Sequence, residues 1–560
     1  MRTIIINGFV IDGSGQPAKR ADLLLDHEKI TAVIPCTGML PDQVRPSAGP
    51  PVAAASRMQR GSGLPYDADL LIDAAGLTVT PGFIDVHRHG DLAVLRDMDY
   101  GELELAQGIT SVVNGNCGLS LVPSAPATHA AWLQYLEPCL GQAPDDCTVM
   151  TYADSLAVAG TVPLRINVAT LVGTGAIRMS LKGFSRSPFS ASERSQATAC
   201  LDSALEQGAP GASCGLIYVP DAYTTKNEFA RLLKPLAVSN KILSCHMRGE
   251  GNSLLDAVSE ILSIGAQAGI RLNISHFKSV GIKNWQKMID PAIQLIERSG
   301  QDVTADFYPY LGGSTTLMTL LPPSVIRETL EQTLNRISGK TGSAFVRSEL
   351  QKSHPGWDSM VEAIGWDRIL ISALENPAHA SFPGLSMAEI ANRCGVDPVE
   401  LLCDLLIKEK GSVSVISMSM SQVDCDRIAR LPWSMLISDA LYSSAGKPHP
   451  RLYGAFARAI HDLVYQRQVL SLEEAVRKMT SQPANRFNLQ KRGLVQEGFF
   501  ADLCLFDPAA LKDRATYEEP RRQAEGMDVV LVNGCIARLA DVNSNNTEKK
   551  THAGQRLLCQ

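Results

Sequence analysis

Two histidines separated by one arginine follow a short apolar run, and their type and spacing suit metal chemistry. His87 and His89 end the segment TPGFIDVHRH at 80–89. Residues two apart on a β-strand face the same side, so both imidazoles point toward one place. Two converging imidazoles form the beginning of a zinc site. Taken as a pair alone, they fit equally well as two structural histidines at a strand end.

Four further side chains that can bind a metal or move a proton each end a short apolar run. They are Cys117, His246, His276 and Asp439. A thiolate and imidazoles are good zinc ligands, and a catalytic zinc keeps one position for water, whose pKa it lowers to about 7. A carboxylate beside the metal can take the water proton and pass it to a leaving group, which is the role expected of Asp439. Considered singly, Cys117 also fits a buried thiol, and Asp439 fits a helix N-cap.

Eight apolar runs that alternate with helical patterns supply the elements needed to bring these side chains together. The runs lie at 83–87, 110–114, 164–171, 211–217, 241–245, 271–275, 302–307 and 435–438. Eight strands with intervening helices predict an α/β fold, a metal-dependent (β/α)8 TIM barrel. The candidate ligands follow predicted strands one, two, five, six and eight, at the strand ends where such barrels hold their active sites. The sequence therefore predicts one metal site at the barrel mouth.

The two ends of the chain have a different pattern from the middle. Residues 1–79 and 491–540 contain short alternating strands, which predict a small β-sandwich domain built from both ends beside a barrel of 80–490. The segment 36–66 is rich in Pro, Ser, Gly and Ala without periodicity, and we expect a mobile surface insertion there. The polar stretch 541–560 predicts a disordered tail.

Composition narrows the class of protein. The 560 residues are 45% hydrophobic and 20% charged, and the net charge of −6 gives no reason to expect a nucleic-acid partner. No stretch approaches the roughly 20 apolar residues that span a bilayer, and the first residues do not form a signal peptide. Thirteen scattered cysteines, an odd number, favour reduced thiols in the cytoplasm. We expect a monomer or a small homo-oligomer.

Several blocks in a fixed order resemble the N-acyl-D-amino-acid deacylases (D-aminoacylases) of the amidohydrolase superfamily. The blocks are TPGFIDVHRHGD, QGITSVVNGNCG, SCGLIY, CHMRGEG, ISHFK, DVTADFYPY, LISDA and KPHPRLYGAF. The resemblance runs over about residues 2–539 apart from the 36–66 insertion. It implies a metal-bearing (β/α)8 barrel with a small β-sandwich made from both chain ends, which agrees with the strand pattern.

The resemblance also implies a role for each candidate side chain. It assigns the tight zinc to Cys117, His246 and His276, a second and weaker site to the first-strand histidine pair, and the proton shuttle to Asp439. Hydantoinases and dihydroorotases bridge two metals with a carboxylated lysine, and a cysteine after the second strand points away from them. The substrate would be a small N-acyl-D-amino acid, hydrolysed to a carboxylate and a free D-amino acid.

The family grips the free carboxylate of its substrate with cations and hydroxyl groups. The matching residues here are Arg451, Lys278, Tyr218, Tyr308 or Tyr310, and Ser314. A guanidinium can hold a carboxylate in a bidentate fork. Without the resemblance, the two cations would more simply be solvated surface charges, and the tyrosines would be core residues.

The side chain of the substrate is predicted from the segment 311–326, which follows the seventh strand beside Tyr310. It contains no Lys or Arg. A site for N-acyl-D-glutamate or D-aspartate should offer a cation to the second carboxylate, so we expect a neutral, hydrophobic D-amino acid such as leucine or methionine. Thr174, Gly249 and Ala440 differ from residues frequent in the family, and they leave the substrate open.

Three other functions fit parts of the sequence. The pattern G-x-S-x-G at 211–215 suits a serine hydrolase, but that motif needs a helix after its turn, and the apolar run LIYVP follows instead. A dihydroorotase- or hydantoinase-like amide hydrolase is the nearest alternative chemistry. A catalytically inactive barrel acting as an assembly module would typically lose metal ligands, whereas all six candidates are present.

Overall fold

A computed structural model describes residues 1–36, 54–61, 63–442, 445–540 and 551–559. The strands within these residues are β1 (Arg2–Val10), β2 (Lys19–Asp26), β3 (Lys29–Pro35), β4 (Met58–Arg60), β5 (Leu70–Asp73), β6 (Thr78–Pro81), β7 (Phe83–Asp85), β8 (Arg88–His89), β9 (Ile109–Asn114), β10 (Asn167–Thr170), β11 (Val172–Gly173), β12 (Gly211–Gly215), β13 (Ile242–His246), β14 (Arg271–Ile274), β15 (Val303–Phe307), β16 (Gly312–Thr316), β17 (Ile369–Ala373), β18 (Ser414–Met418), β19 (Ser434–Leu436), β20 (Ala440–Leu441), β21 (Leu503–Phe506), β22 (Met527–Val532) and β23 (Cys535–Leu539).

The α-helices of the same residues are α1 (Ala93–Arg96), α2 (Glu102–Leu105), α3 (His129–Leu140), α4 (Tyr152–Ala159), α5 (Thr174–Lys182), α6 (Ala191–Glu206), α7 (Lys226–Leu232), α8 (Lys234–Val238), α9 (Leu254–Ala268), α10 (Ile289–Arg298), α11 (Leu330–Arg336), α12 (Gly339–Leu350), α13 (Met360–Ile364), α14 (Met387–Cys394), α15 (Pro398–Lys408), α16 (Gln422–Ala429), α17 (Arg451–Arg458), α18 (Leu472–Met479) and α19 (Ser481–Arg486). None of them is both long enough and apolar enough to cross a membrane.

Parallel strands close a barrel in the middle of the chain. One group runs β7–β9–β10, and the other runs β11–β12–β13–β14–β15–β19. Strands β10 and β11 are two parts of one bent strand, which joins the groups on one side. On the other side the Asp439 amide donates to the His87 carbonyl at 2.9 Å, and Ala440 pairs with Arg88. The predicted TIM barrel is confirmed, with each of the eight predicted strands in its expected place.

Helix α9 shows how the sequence sets the outer layer of the barrel. Leu254, Val258 and Ile261 recur at helical spacing, and all three are buried. The helix ends at Gly269, whose φ of 70° places it in the left-handed region that glycine adopts without strain. The chain then turns directly into β14, and the next ligand follows that strand.

The strands from the two chain ends form one continuous sheet. Its order is β23–β22–β21–β6–β1–β2–β3, with β5 also paired to β1 and β4 paired to β5. Apolar side chains from both ends share one cluster that includes Ile5, Leu23, Val79, Leu503 and Val529. The N-terminal and C-terminal strands therefore depend on each other for burial, as a single β-domain requires.

A subdomain that the sequence did not reveal is inserted between the seventh and eighth barrel strands. It contains the antiparallel sheet β16–β18–β17 and helices α11 to α15. Its own apolar cluster includes Leu317, Ile371, Leu402 and Val415. The first strand of this subdomain, β16, carries Ser314 over the barrel mouth.

The low-complexity segment 36–66 is partly regular. Strand β4 pairs antiparallel with β5 from Met58 to Arg60, and Ala54 is buried. Residues 58–60 therefore have regular backbone structure, and the mobility expected of 36–66 stays a prediction. Residues 37–53 and 62 lie outside the described residues.

The C-terminal segment is ordered at 551–559, contrary to the predicted disorder of 541–560. It runs beside β10, where the Leu557 amide donates to the Val168 carbonyl at 2.9 Å. Leu557 and Cys559 are buried, and the buried ammonium of Lys241 donates to the Cys559 carbonyl at 2.7 Å. Hydrogen bonds to distant backbone order this stretch, and polar composition does not reveal them. Residues 541–550 and 560 lie outside the described part of the chain.

Leu557 and Leu558 offer a matched test of this C-terminal segment. Leu557 is 9% exposed and Leu558 is 54% exposed. We expect Leu557→Ala to destabilise the protein by roughly 2 kcal/mol, because it removes a buried side chain, and Leu558→Ala by less than about 0.5 kcal/mol. Thermal unfolding at one scan rate measures both. Equal losses in the two variants would contradict the packing described here.

Candidate metal and active site

The six predicted ligands meet at the C-terminal mouth of the barrel, and all six are buried. The donor atoms of His87, His89 and Cys117 lie within 4.8 Å of one another, and so do those of Cys117, His246 and His276. Cys117 belongs to both groups. Its Sγ lies 3.3 Å from His87 Nε2 and 3.7 Å from His276 Nε2.

The loop after β9 fixes the position of Cys117. Cys117 has a φ of 56°, and Gly115 and Gly118 on either side also have positive φ. A Cβ on Gly115 would lie 2.3 Å from the Leu171 carbonyl oxygen, so only glycine fits there. The amide of Gly118 donates to Ser213 Oγ at 2.9 Å. The Asn-Gly-Asn-Cys-Gly sequence therefore forms a tight turn that directs the thiol into the barrel.

Ser213 has a structural place in this arrangement. Its hydroxyl donates to the Gly115 carbonyl and accepts from Gly118, and the side chain is fully buried inside β12. No helix begins after β12, as a nucleophile elbow would need. The geometry does not support a serine hydrolase.

The protonation states of His246 and His276 fit a divalent cation. Burial lowers the pKa of His246 and of His276 well below the ordinary value of histidine, and the charge of Lys278 lowers the pKa of His276 further. Both imidazoles are therefore neutral. At His87, in contrast, burial is outweighed, chiefly by the charge of Asp306, and the pKa of that imidazole is raised.

Burial, followed by the charges of Asp439 and Asp306, raises the pKa of Cys117 well above its ordinary value. A metal displaces the proton of such a thiol and requires neutral imidazoles. His246 has no hydrogen-bond partner on either ring nitrogen within the described residues, so it is free to ligate.

Asp439 lies between the histidine pair and a buried arginine. Its Oδ1 is 3.3 Å from His89 Nε2 and 3.5 Å from His87 Nε2, and its Oδ2 is 2.9 Å from Arg451 Nη1. Burial alone would raise the pKa of Asp439, but Arg451 and the imidazoles outweigh it and hold this pKa well below its ordinary value. Asp439 is therefore an ionised carboxylate inside the site.

Comparisons with known proteins agree with this geometry. The amidohydrolase family model matches residues 70–210 and 405–537. N-acyl-D-glutamate deacylase of Alcaligenes xylosoxydans xylosoxydans is 33% identical over 95% of this chain and 92% of its own. D-aminoacylase of the same organism is 31% identical over 99% of this chain and 97% of its own. The chain belongs to the N-acyl-D-amino-acid deacylase family of the amidohydrolases. The predicted family is confirmed.

A solved structure extends the match to three dimensions. N-acyl-D-glutamate deacylase from Bordetella bronchiseptica, complexed with zinc and a phosphonate inhibitor that mimics the tetrahedral intermediate, aligns with a TM-score of 0.77. It is 29% identical, and the alignment covers 100% of this chain and 99% of that one. The same fold therefore spans the whole of this deacylase-family chain.

Only some of the residues predicted to bind the substrate carboxylate line the pocket of this deacylase-family chain. Lys278, Tyr218, Tyr308 and Ser314 line the pocket with the metal donors. Tyr310 does not line it, since its hydroxyl donates to Asp513 Oδ2 at 3.0 Å. Asp513 is 203 residues away in the chain, and no local pattern could have separated Tyr310 from Tyr308.

Arg451 is close to the pocket wall and is only 1% exposed. Its guanidinium carbon lies 4.8 Å from the centre of the Tyr308 ring. Although Nη1 is near Asp439, the N–H direction forms no hydrogen bond, and Nε and Nη2 also have no partner among the described residues. Although the guanidinium is ion-paired with Asp439, its Nε and Nη2 donors are left for a further carboxylate.

Two carboxylates that the sequence did not single out support the metal ligands. Asp306, in the DVTADFYPY block, accepts the backbone amide of His276 and lies 3.5 Å from His87 Nδ1. Glu250, in CHMRGEG, lies 3.0 Å from His276 Nδ1 and 2.7 Å from Lys278 Nζ. Both carboxylates therefore place negative charge beside a ligand imidazole, while Lys278 Nζ lies 2.6 Å from His276 Nδ1. Their position inside two of the quoted blocks was a signal that could have revealed them.

The arginine between the two first-strand histidines forms a buried ion network. Arg88 Nη2 lies 2.6 Å from Glu104, its Nη1 lies 3.1 Å from Asp85, and its Nε donates to the Tyr442 hydroxyl at 3.0 Å. Tyr442 follows β20, so the network joins the first strand to the segment after Asp439. The sequence signal for this network was an arginine that is flanked by two histidines and lies three residues after an aspartate.

Removal of one sulfur atom tests the shared ligand. We expect Cys117→Ala to lose most of its zinc, because both donor groups lose their common member. Cys139→Ala is the matched control, since Cys139 is a buried cysteine of the same pocket that belongs to neither donor group. Zinc per protein, measured by mass spectrometry after gel filtration, should fall only in the first variant. A full equivalent of zinc in Cys117→Ala would contradict the assignment.

Proposed function

We propose that this protein is a zinc-dependent hydrolase that cleaves the amide bond of N-acyl-D-amino acids, releasing a carboxylate and a free D-amino acid. The single observation that carries the proposal is the meeting of two donor groups at Cys117 beside the buried Asp439–Arg451 pair. The relatives support it, because they are deacylases of D-glutamate, D-aspartate and other D-amino-acid derivatives by name. We further propose that the protein works in the cytoplasm, since all thirteen of its cysteines are free.

Cys117, His246 and His276 would hold the zinc, and His87 and His89 would provide a second, weaker position. Bound zinc supplies Lewis-acid chemistry and an acidic water to the site. Asp439 Oδ1 faces the imidazole of His89. It is therefore placed to accept a proton from water and to deliver that proton to the leaving nitrogen. The low pKa of Asp439 keeps the carboxylate ionised until the reaction begins.

The substrate carboxylate would be held beside the metal donors. Arg451 offers guanidinium nitrogens that have no hydrogen-bond partner, and Tyr308 lies against it. Lys278 and Ser314 line the same pocket. We therefore assign the seventh-strand tyrosine of this grip to Tyr308 rather than to Tyr310. When the carboxylate and the acyl carbonyl of the substrate are both held in place, only one configuration at its Cα atom fits the site.

The pocket wall favours a neutral amino acid. Its apolar members include Leu119, Ile217, Met360 and Leu441. Lys278 is the only Lys or Arg among the described lining residues, and it already contacts Glu250 at 2.7 Å. Glu250 and Asp358 also line the pocket, and they would repel a second carboxylate on the substrate.

Replacing the proposed proton carrier separates chemistry from metal binding. We expect Asp439→Asn to retain zinc and to lose about 10²- to 10⁴-fold in kcat, because an amide cannot accept the proton. Asp424→Asn is the control, since Asp424 is a buried carboxylate that accepts from the Gln286 amide away from the pocket. Wild-type kcat in zinc-loaded Asp439→Asn would remove Asp439 from the mechanism.

Two substrates of D configuration test which amino-acid side chain the enzyme prefers. We expect kcat/KM for N-acetyl-D-leucine to exceed that for N-acetyl-D-glutamate by at least tenfold, because the lining offers apolar surface and no free second cation. The L-enantiomer of N-acetyl-leucine is the control for stereochemistry. A preference for the glutamate derivative would overturn the assignment of a neutral side chain.

A further inference from the structure

A second cavity adjoins the active pocket. The two spaces share Leu119, Cys139 and Tyr218 as a common wall. The second cavity encloses about 480 Å³ of space between atoms, part of it open to solvent. Tyr218 stands at the junction, with its ring centre 4.9 Å from that of His246 and its hydroxyl 3.4 Å from Thr315 Oγ1.

The lining of this second cavity is largely apolar. Beyond the shared wall it is formed by Tyr135, Pro138, Met318 and Leu330, with Gln134, Thr316 and Gly411 beside them. Lys410 is the one charged residue among the described lining residues, and it is exposed at the surface. An exposed ammonium is well solvated, so the chemistry of the cavity is that of its hydrocarbon wall.

The position of the cavity relative to the carboxylate grip indicates which part of a substrate reaches it. Arg451 follows the eighth strand and Lys278 follows the sixth, whereas Leu119 follows the second and Tyr218 follows the fourth. In an N-acyl amino acid the atoms run from carboxylate to Cα, nitrogen, carbonyl and acyl tail. With the carboxylate at the grip and the carbonyl at the metal donors, the acyl tail continues toward the second cavity.

We propose that this cavity binds the acyl tail of the substrate, and that the enzyme prefers unbranched, saturated acyl groups longer than acetyl. The inference rests on the proposed deacylase function and adds the acyl class to it. Apolar surface removed from water favours binding by an amount that makes each fully buried methylene worth a factor of about four. The side chain of the D-amino acid would remain in the first pocket, between Met360 and Leu441.

Two substrate series test the assignment on the zinc-loaded protein. The first keeps D-leucine and varies the acyl group from acetyl to butanoyl and hexanoyl. The second keeps acetyl and varies the side chain from D-alanine to D-norvaline and D-norleucine. We expect kcat/KM to rise at least tenfold from acetyl to hexanoyl. A flat or falling acyl series overturns the proposal.

A variant that fills the cavity shows where the tail lies. Met318 lines the second cavity and not the first, so Met318→Trp should lower kcat/KM for hexanoyl-D-leucine at least tenfold and leave acetyl-D-leucine within twofold. Met98→Trp is the control, since Met98 is 63% exposed and lines neither space. Leu330→Trp repeats the test at a second lining position if Met318→Trp does not fold. Equal losses for both substrates overturn the proposal.

The remaining outcomes separate this inference from the proposed function. If acetyl-D-leucine is hydrolysed but Met318→Trp affects only the side-chain series, the cavity belongs to the side chain and the inference fails alone. N-succinyl-D-leucine has the same number of acyl carbons as N-butanoyl-D-leucine, and a higher kcat/KM for the succinyl substrate overturns the apolar assignment. If no N-acyl-D-amino acid of either series is hydrolysed, the proposed function fails as well.

Discussion

One sulfur atom connects the two halves of the metal site. Cys117 Sγ belongs to the donor group of the first strand and to the donor group of the fifth and sixth strands. Its burial and the carboxylates around it make the free thiolate costly, so the sulfur keeps its proton until a cation replaces it. The surrounding structure must therefore hold the thiol, the imidazoles and Asp439 close together.

The support for that arrangement comes from separate parts of the chain. Ser213 fixes the turn that carries Cys117, Asp306 accepts the His276 amide, and Arg88 connects the first strand to the segment after Asp439. Thr174, one of the departures from the family pattern, donates to Asp221 Oδ2 at 2.6 Å, and Asp221 accepts the Gly215 amide at 3.0 Å. That substitution thus takes part in the buried network between the third and fourth strands.

The sequence predicted those features that depend on local pattern. Each barrel strand is a short apolar run, so the barrel could be predicted from the sequence. A metal-binding side chain that comes directly after a parallel strand must lie at the barrel mouth, so the meeting of the ligands could also be predicted. The fold, the family and the enzyme class are confirmed, whereas the role of each site residue stays a prediction. The inserted subdomain was missed because its strands pair only with one another. Tyr310 bonds to Asp513, and Leu557 bonds to Val168, and local pattern did not predict these contacts because the partners are distant in the chain.

Three of the site residues, Cys117, His276 and Asp439, have left-handed backbone, with φ of 56°, 36° and 52°. Aspartate, asparagine and histidine tolerate this region better than most residues, and β-branched side chains do not. The loops thus restrict which residues can replace a ligand by backbone shape as well as by chemistry. Exchange of the thiolate for a carboxylate or an imidazole would need little rebuilding of the turn. The scaffold is thereby open to redesign toward harder cations such as manganese, which prefer oxygen donors.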